Sequence, residues 1–289
     1  MLKEHEFMFD PIQLKKLARQ HREDYPQMKP FPHVVIDNLL PEEVLRDVLE
    51  EFPRYNQINW DNYEGAGEKK LATSVEAQMG TTTRLLLYHF NSSHFIRFLE
   101  ELTGVEGLIP DPYLLGGGLH QIRRGGFLKV HADFNRHPTL RLDRRLNLLL
   151  YLNEDWKEEY GGHLELWNRD MTRCEEKILP IVNRCVIFST TDFSFHGHPD
   201  VLTCPEAKTR NSIALYYYSN GRPEEEVSST HSTLWQQRPG EFDQMGWTPN
   251  IHPPTRTLRI KHLLKRFIPP IVIDARDYMS SHFRQKDLP

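Results

Sequence analysis

The stretch Phe127-Leu128-Lys129-Val130-His131-Ala132-Asp133 is a short apolar run that opens after Gly125-Gly126 and closes on a His-x-Asp triplet. Such a run bounded by turn residues predicts a β-strand. Side chains two apart in a strand point the same way, so His131 and Asp133 share a face. Similar runs lie on both sides of it: Leu119–Arg123 ahead, then Leu146–Leu152, His163–Trp167, Arg184–Ser189 and Ile213–Ser219. Many short strands separated by Gly, Asn and Pro predict a mainly β fold of the jelly-roll kind. No repeat of 20–50 residues is visible, which argues against a propeller or solenoid.

The residues before this region read as mainly helical. Asp10 is placed to cap a helix with Pro11 at its first position and Ile12, Leu14 and Leu17 as its apolar set. A strand is expected over 33–38. Pro41 then opens a second helix, whose Val44, Leu45, Val48, Leu49 and Phe52 form one stripe that Pro53 ends. Residues 61–80 are polar and without period, and predict a loop or lid. A third helix is expected over 91–102, capped by Ser92 or Ser93, with Gly104 past its end. The chain is expected to form one domain: a helical support region 1–117, a jelly-roll core 118–220 and a helical extension 221–289. Its last part, 254–289, holds eight Lys/Arg against three Asp/Glu. That basic pattern suits either a helix packed on its own domain or one docked on an anionic surface.

A net charge of −4 gives no basic footprint for a phosphate backbone, so nucleic acid is not an expected partner. The three cysteines are scattered, with no CxxC pair, and read as free thiols of a cytoplasmic protein. No run reaches the ~20 apolar residues of a membrane span, so stable membrane insertion is not expected. Oligomeric state is not legible.

Taken alone, His131 is an ordinary histidine; with fifteen His and forty Asp/Glu, a His-x-Asp triplet arises by chance, and His198-Pro199-Asp200 is another. The ordered set carries the information. His196 follows the strand 184–189, and an imidazole there would join His131 and Asp133 as two nitrogens and one carboxylate on one metal, the facial set used by non-haem iron(II) oxygenases. His198 competes with His196 for that place. Arg210 and Ser212 then share a face at the head of an apolar, hence buried, strand, and a buried arginine needs an anion. That anion is either a structural carboxylate or the far carboxylate of an oxoacid whose other end chelates the metal. Asn147, Leu149 and Tyr151 alternate inward on one strand, with the Tyr151 hydroxyl able to donate.

The set His131-x-Asp133, Leu149-Leu-Tyr151-Leu-Asn153, Gly161-Gly162-His-Leu-Glu-Leu, Phe195-His196-Gly197 and Arg210-x-Ser212 resembles the prolyl 4-hydroxylase-type branch of the iron(II)/2-oxoglutarate dioxygenases. The resemblance covers about residues 118–220, and the opening Pro30-Phe-Pro-His-Val-Val-Ile-Asp-Asn is similar to the lead-in of bacterial members. It implies a double-stranded β-helix, iron ligation by His131, Asp133 and His196 in preference to His198, and 2-oxoglutarate binding by Arg210 and Tyr151, with Ser212 and Asn147 nearby. Family members often carry a tyrosine in the strand before His-x-Asp; here Gln121 or Arg123 is expected to take its place. The intact Asp133 argues against a halogenase. The implied reaction is hydroxylation of an amino acid, a prolyl-like peptide residue or another small molecule with O2, giving succinate and CO2, with ascorbate an open accessory. The loop 134–145, with Arg136, Arg141 and Arg144, is expected to wall the substrate site. A non-catalytic, cupin-like metal-binding jelly roll is the rival from another class.

Overall fold

The computed structural model describes residues 8–241. Helix α1 (Pro11–His21) begins as its sequence predicts, with the Asp10 carboxylate accepting from the Ile12 amide at 2.8 Å. Leu14 and Ala18 are buried, whereas Ile12, expected on the apolar face, is exposed. Strand β1 (His33–Asp37) precedes α2 (Glu42–Glu51), which stops at Phe52-Pro53.

The region expected to be a loop or lid is instead a hairpin, β2 (Asp61–Glu64) and β3 (Glu68–Thr73), which joins the main sheet. A helix absent from the sequence reading follows, α3 (Thr81–Phe90). Its first amides are capped from a distance: both Glu51 carboxylate oxygens accept from Thr82 and Thr83 at 2.9 Å. Helix α4 (Ser93–Thr103) starts at Ser92 and ends at Gly104 in the left-handed conformation, as expected.

Apart from the short 3-10 turns Glu158–Tyr160 and Glu224–Glu226, the elements that follow are strands: β4 (Ile109–Pro110), β5 (Gly118–Ile122), β6 (Phe127–Ala132), β7 (Asp143–Tyr151), β8 (Leu164–Trp167), β9 (Cys174–Ile178), β10 (Arg184–Ser189), β11 (His196–His198), β12 (Arg210–Ser219) and β13 (Leu234–Trp235). They form one antiparallel, curled sheet in the order β1-β10-β7-β12-β5-β3-β6-β11-β8-β9, with β2, β4 and β13 on its margins. The expected helical extension therefore contributes a strand, β13, to the sheet; the basic segment with Arg256, Arg259, Lys261, Lys265 and Arg266 lies outside the described residues.

The core sits between the helices and one face of this sheet. Leu146, Leu148 and Leu150 of β7 and Ile213, Leu215 and Tyr217 of β12 meet Leu86, Phe90, Phe95 and Leu99 of α3 and α4. The alternate residues of the same strands turn the other way, toward a pocket enclosed by the curl of the sheet. Register fixes that division, because a slip of one residue would exchange the two faces. Cys174, Cys185 and Cys204 are free thiols. Among the described residues, no helix is long and apolar enough to cross a membrane.

Candidate active site

Strand β6 delivers His131 and, just past its end, Asp133. Strand β11 runs beside it with His196 directly opposite His131, a pairing that places the ring centroids 4.5 Å apart. The Asp133 carboxylate reaches both rings, 3.7 Å from His131 Nε2 and 3.5 Å from His196 Nε2. The three candidate ligand atoms lie within 4.8 Å of one another. Each imidazole is held from behind: His131 Nδ1 is 2.8 Å from the Lys129 carbonyl and His196 Nδ1 is 2.9 Å from that of Ser194. A carbonyl only accepts, so each Nδ1 carries the hydrogen and each Nε2 presents its lone pair. Two such nitrogens and one carboxylate, gathered on one side of a cavity, fit a divalent metal with positions left open for other ligands.

Electrostatics favour the same state. Burial pushes the Asp133 carboxyl up, but Arg144, followed by His196 and His131, holds it well below the usual carboxylate range. Burial and then His131 push His196 down to about 4, so the ring is neutral at neutral pH. A fixed anion beside a neutral imidazole is the form a cation requires.

Asp133 is positioned by two side chains of β7. Asn147 Nδ2 donates to its Oδ2 at 2.7 Å, and Arg144 Nη2 lies 3.1 Å from the same oxygen. Arg144 Nε also donates to Asn147 Oδ1 at 2.9 Å. The guanidinium is sandwiched between Tyr216, 3.5 Å from its ring centroid, and Phe134, 4.6 Å away. Arg144, expected in a surface loop, is thus 1% exposed and part of the site. The cause is a bulge: Tyr217 pairs with Leu146 but Tyr218 with Arg144, so Arg145 is the extra residue and Arg144 is turned onto the Asn147 face.

Arg210, at the head of β12, is buried and lines the same cavity as the cluster. Its Nε donates to the Gly162 carbonyl at 2.8 Å and its Nη2 to the Tyr151 hydroxyl at 3.4 Å. Gly162 is required there, since a Cβ would lie 2.9 Å from Arg210 Cδ on a backbone with φ of 75°. Among the described residues no carboxylate pairs with Arg210, and burial pulls its pKa down. The structural ion pair considered for it is absent among the described residues. Ser212, two residues on, lines the same cavity.

The cavity brings together His131, Asp133, His196, Arg210, Tyr151, Ser212 and Asn147. Gln121 is the exception and corrects the expectation for the strand before His-x-Asp. It faces away from the cavity and donates to the Pro53 carbonyl and to Asn211 Oδ1, while Arg123 stacks on Tyr55. Its neighbour His120 takes the inward place by the alternation of β5. His198 also lines the cavity, outside the three-ligand cluster. Trp235 on β13 pairs in register with His131 and packs 5.2 Å from its ring. It rests on Gly67 at the hairpin turn, where a Cβ would meet the indole at 2.8 Å. Nothing local in the sequence marks Trp235, because its place depends on a segment far from the core returning to β6.

Comparison with known proteins fits this geometry. Residues 117–218, from β5 through β12, match the family model described as the 2OG-Fe(II) oxygenase superfamily. A stretch of 79 residues is 32% identical to the prolyl 3-hydroxylase OGFOD1 of Mus musculus, covering 26% of this chain and 14% of that protein. The chain therefore matches a small part of that relative's length. Among solved structures, a prolyl hydroxylase from Trichoplax adhaerens, in complex with a hypoxia inducible factor oxygen degradation domain peptide fragment, superposes with a TM-score of 0.52. It is 20% identical, over 73% of this chain and 94% of that one. A prolyl 4-hydroxylase from Phytophthora capsici gives a TM-score of 0.50 at 22% identity, over 75% of this chain and 68% of that one. At these identities the likeness to the solved structures is one of fold. Residues 117–218, which carry the three-ligand cluster and the buried arginine, are thus the part of the chain that is similar to the 2OG-Fe(II) oxygenase superfamily.

Proposed function

We propose that this protein is an iron(II)- and 2-oxoglutarate-dependent hydroxylase with a double-stranded β-helix core. The observation that carries the reading is the pairing within one cavity of a three-ligand cluster with a buried arginine that no carboxylate answers among the described residues. A buried guanidinium without an anion is costly, and a dicarboxylic oxoacid supplies the anion while its keto acid end reaches the metal.

His131, Asp133 and His196 would hold the iron; Arg210, Tyr151 and Ser212 would hold the oxoacid. When bound, iron and oxoglutarate would, with O2 as co-reactant, supply an oxidant strong enough to replace an unactivated C–H bond by C–OH, one oxygen atom going to the product and the other to succinate as CO2 is released. The protein's own residues position and protect. Arg144 and Asn147 fix the Asp133 oxygen that faces away from His131, so the carboxylate cannot rotate. Arg210 is immobilised by Gly162 and Tyr151 before any ligand arrives, which removes ordering cost at binding. Trp235 and the β2–β3 hairpin close one side of the cavity and limit access of water.

The substrate is proposed to be a prolyl-like peptide residue, an amino acid or another small molecule bearing a carbonyl or carboxylate. Lys70 on the cavity wall suits such a group, and the similar proteins are prolyl hydroxylases by name. Anaerobic loading with iron(II), followed by exposure to oxygen and measurement of succinate across amino acids and proline-containing peptides, tests the proposal. Succinate formation that disappears in Arg210→Met supports it. Metal binding without any oxoglutarate-dependent succinate would leave the cupin-like binder in its place.

A further inference from the structure

His198 leaves β11 two residues after His196 and therefore on the same side of the strand. It is 3% exposed and lines the cavity. Among the described residues neither of its ring nitrogens has a hydrogen-bond partner. This separates it from His131 and His196, whose Nδ1 atoms are each tied to a backbone carbonyl. Native proteins rarely bury a donor and leave it unanswered, because the group has lost its water and gained nothing in return.

The surroundings of the ring indicate what would answer it. The largest charges acting on it come from Arg210 of β12, then Lys70 of β3, His131 of β6 and His120 of β5, all cationic or basic groups. Arg210 lines the same cavity, and it too lacks an acidic partner among the described residues. An imidazole without a hydrogen-bond partner and a guanidinium without an acidic one, buried on strands of one sheet and lining one cavity, can both answer one anion. A neutral imidazole suffices, since a single N–H donates to a carboxylate oxygen that the guanidinium leaves free.

We propose that His198 is a third group holding the distal carboxylate of the oxoacid, with Arg210 and Tyr151. The inference rests on the proposed function above. It also accounts for Gln121 facing away: the contact expected from the strand before His-x-Asp is supplied from β11 instead.

The test uses the full chain loaded with Mn(II), which supports binding without turnover, and isothermal titration with two oxoacids. One is 2-oxoglutarate; the other is 2-oxopentanoate, in which a methyl group replaces the distal carboxylate. His198→Val is expected to weaken 2-oxoglutarate about tenfold or more, as loss of one hydrogen bond to a charged group implies. It should leave 2-oxopentanoate unchanged, and His198→Gln, which keeps an N–H donor, should recover part of the loss. Melting curves without oxoacid show that both variants fold; removal of an unanswered buried group should leave the melting temperature equal or higher. Unchanged 2-oxoglutarate affinity in His198→Val, or an equal loss for both oxoacids, overturns the assignment. A wild-type protein that fails to bind 2-oxoglutarate overturns the proposed function itself, and this outcome is visible before any variant is compared.

Discussion

Strands β7 and β12 each serve two regions of the molecule. Their helix-facing residues, Leu146, Leu148 and Leu150 with Ile213, Leu215 and Tyr217, form a dry interior against α3 and α4. Their cavity-facing residues, Asn147 and Tyr151 with Arg210 and Ser212, are polar or aromatic and equally hidden from water, and Tyr216 beside them is half-buried. One backbone thus carries an apolar face that drives folding and a polar face that folding must tolerate. The polar face is stabilised by mutual satisfaction, as in the Asp133–Asn147–Arg144 network, and where that network is incomplete, at Arg210 and His198, a ligand is called for. Substitutions on the two faces should therefore fail in different ways.

The largest effect is expected at Asp133. Asp133→Asn retains the shape but removes both the anionic ligand and the counter-charge of the buried Arg144. Succinate formation should fall by about three orders of magnitude or more, equivalent to ~4 kcal/mol in the barrier. Melting should also fall, since a buried guanidinium without its partner is destabilising. An active Asp133→Asn protein would break the comparison outright. On the other face, Leu148→Ala should cost about 2–5 kcal/mol of stability, read by chemical denaturation, while the folded fraction keeps its metal and oxoglutarate affinities. Next, Arg210→Met should weaken oxoglutarate about 100-fold, or ~2.7 kcal/mol, with metal affinity nearly intact in a calorimetric titration. A comparable loss of metal binding would mean that the two halves of the cavity are one unit.

The sequence carried more of the site than of its supports. His131 and Asp133, and Arg210 and Ser212, are each two apart, and strand alternation alone puts each pair on one face. What escaped depends on contacts between distant segments. Helix α3 opens with Thr81-Thr82-Thr83, poor helix formers, and starts there because Glu51 of α2 caps it across space. Strand β2 is exposed at every residue, so it has no apolar alternation to betray it. Strand β9 is half-exposed and charged at Glu175, Glu176 and Lys177, and lacks a legible alternation for the same reason. The inward direction of Arg144 is set by a bulge against β12, and a bulge reverses the alternation by which a strand's faces are legible in sequence.

The smallest expected effect concerns pH and sharpens the contrast between the faces. Burial, followed by neighbouring charge, lowers the pKa of His196 to about 4 and that of His198 well below its usual value. The unfolded chain takes up these protons near pH 6.5, whereas the folded chain refuses them until pH is much lower. Between those limits the unfolded state binds more protons, so stability of the metal-free protein rises with pH and is lost as pH falls from about 6.5 toward 4. Moving from pH 7 to pH 5.5 should cost roughly 1 kcal/mol for each such imidazole. Burial likewise lowers His120 to about 3, so His198→Val removes one of three such groups and should flatten this slope by about a third, measured by denaturation at several pH values. Leu148→Ala should lower stability at every pH without changing the slope, because it alters packing and no proton equilibrium. Parallel slopes for all three proteins would mean that the cavity imidazoles are solvated in the folded state, and that the polar face is not sealed as the dry face is.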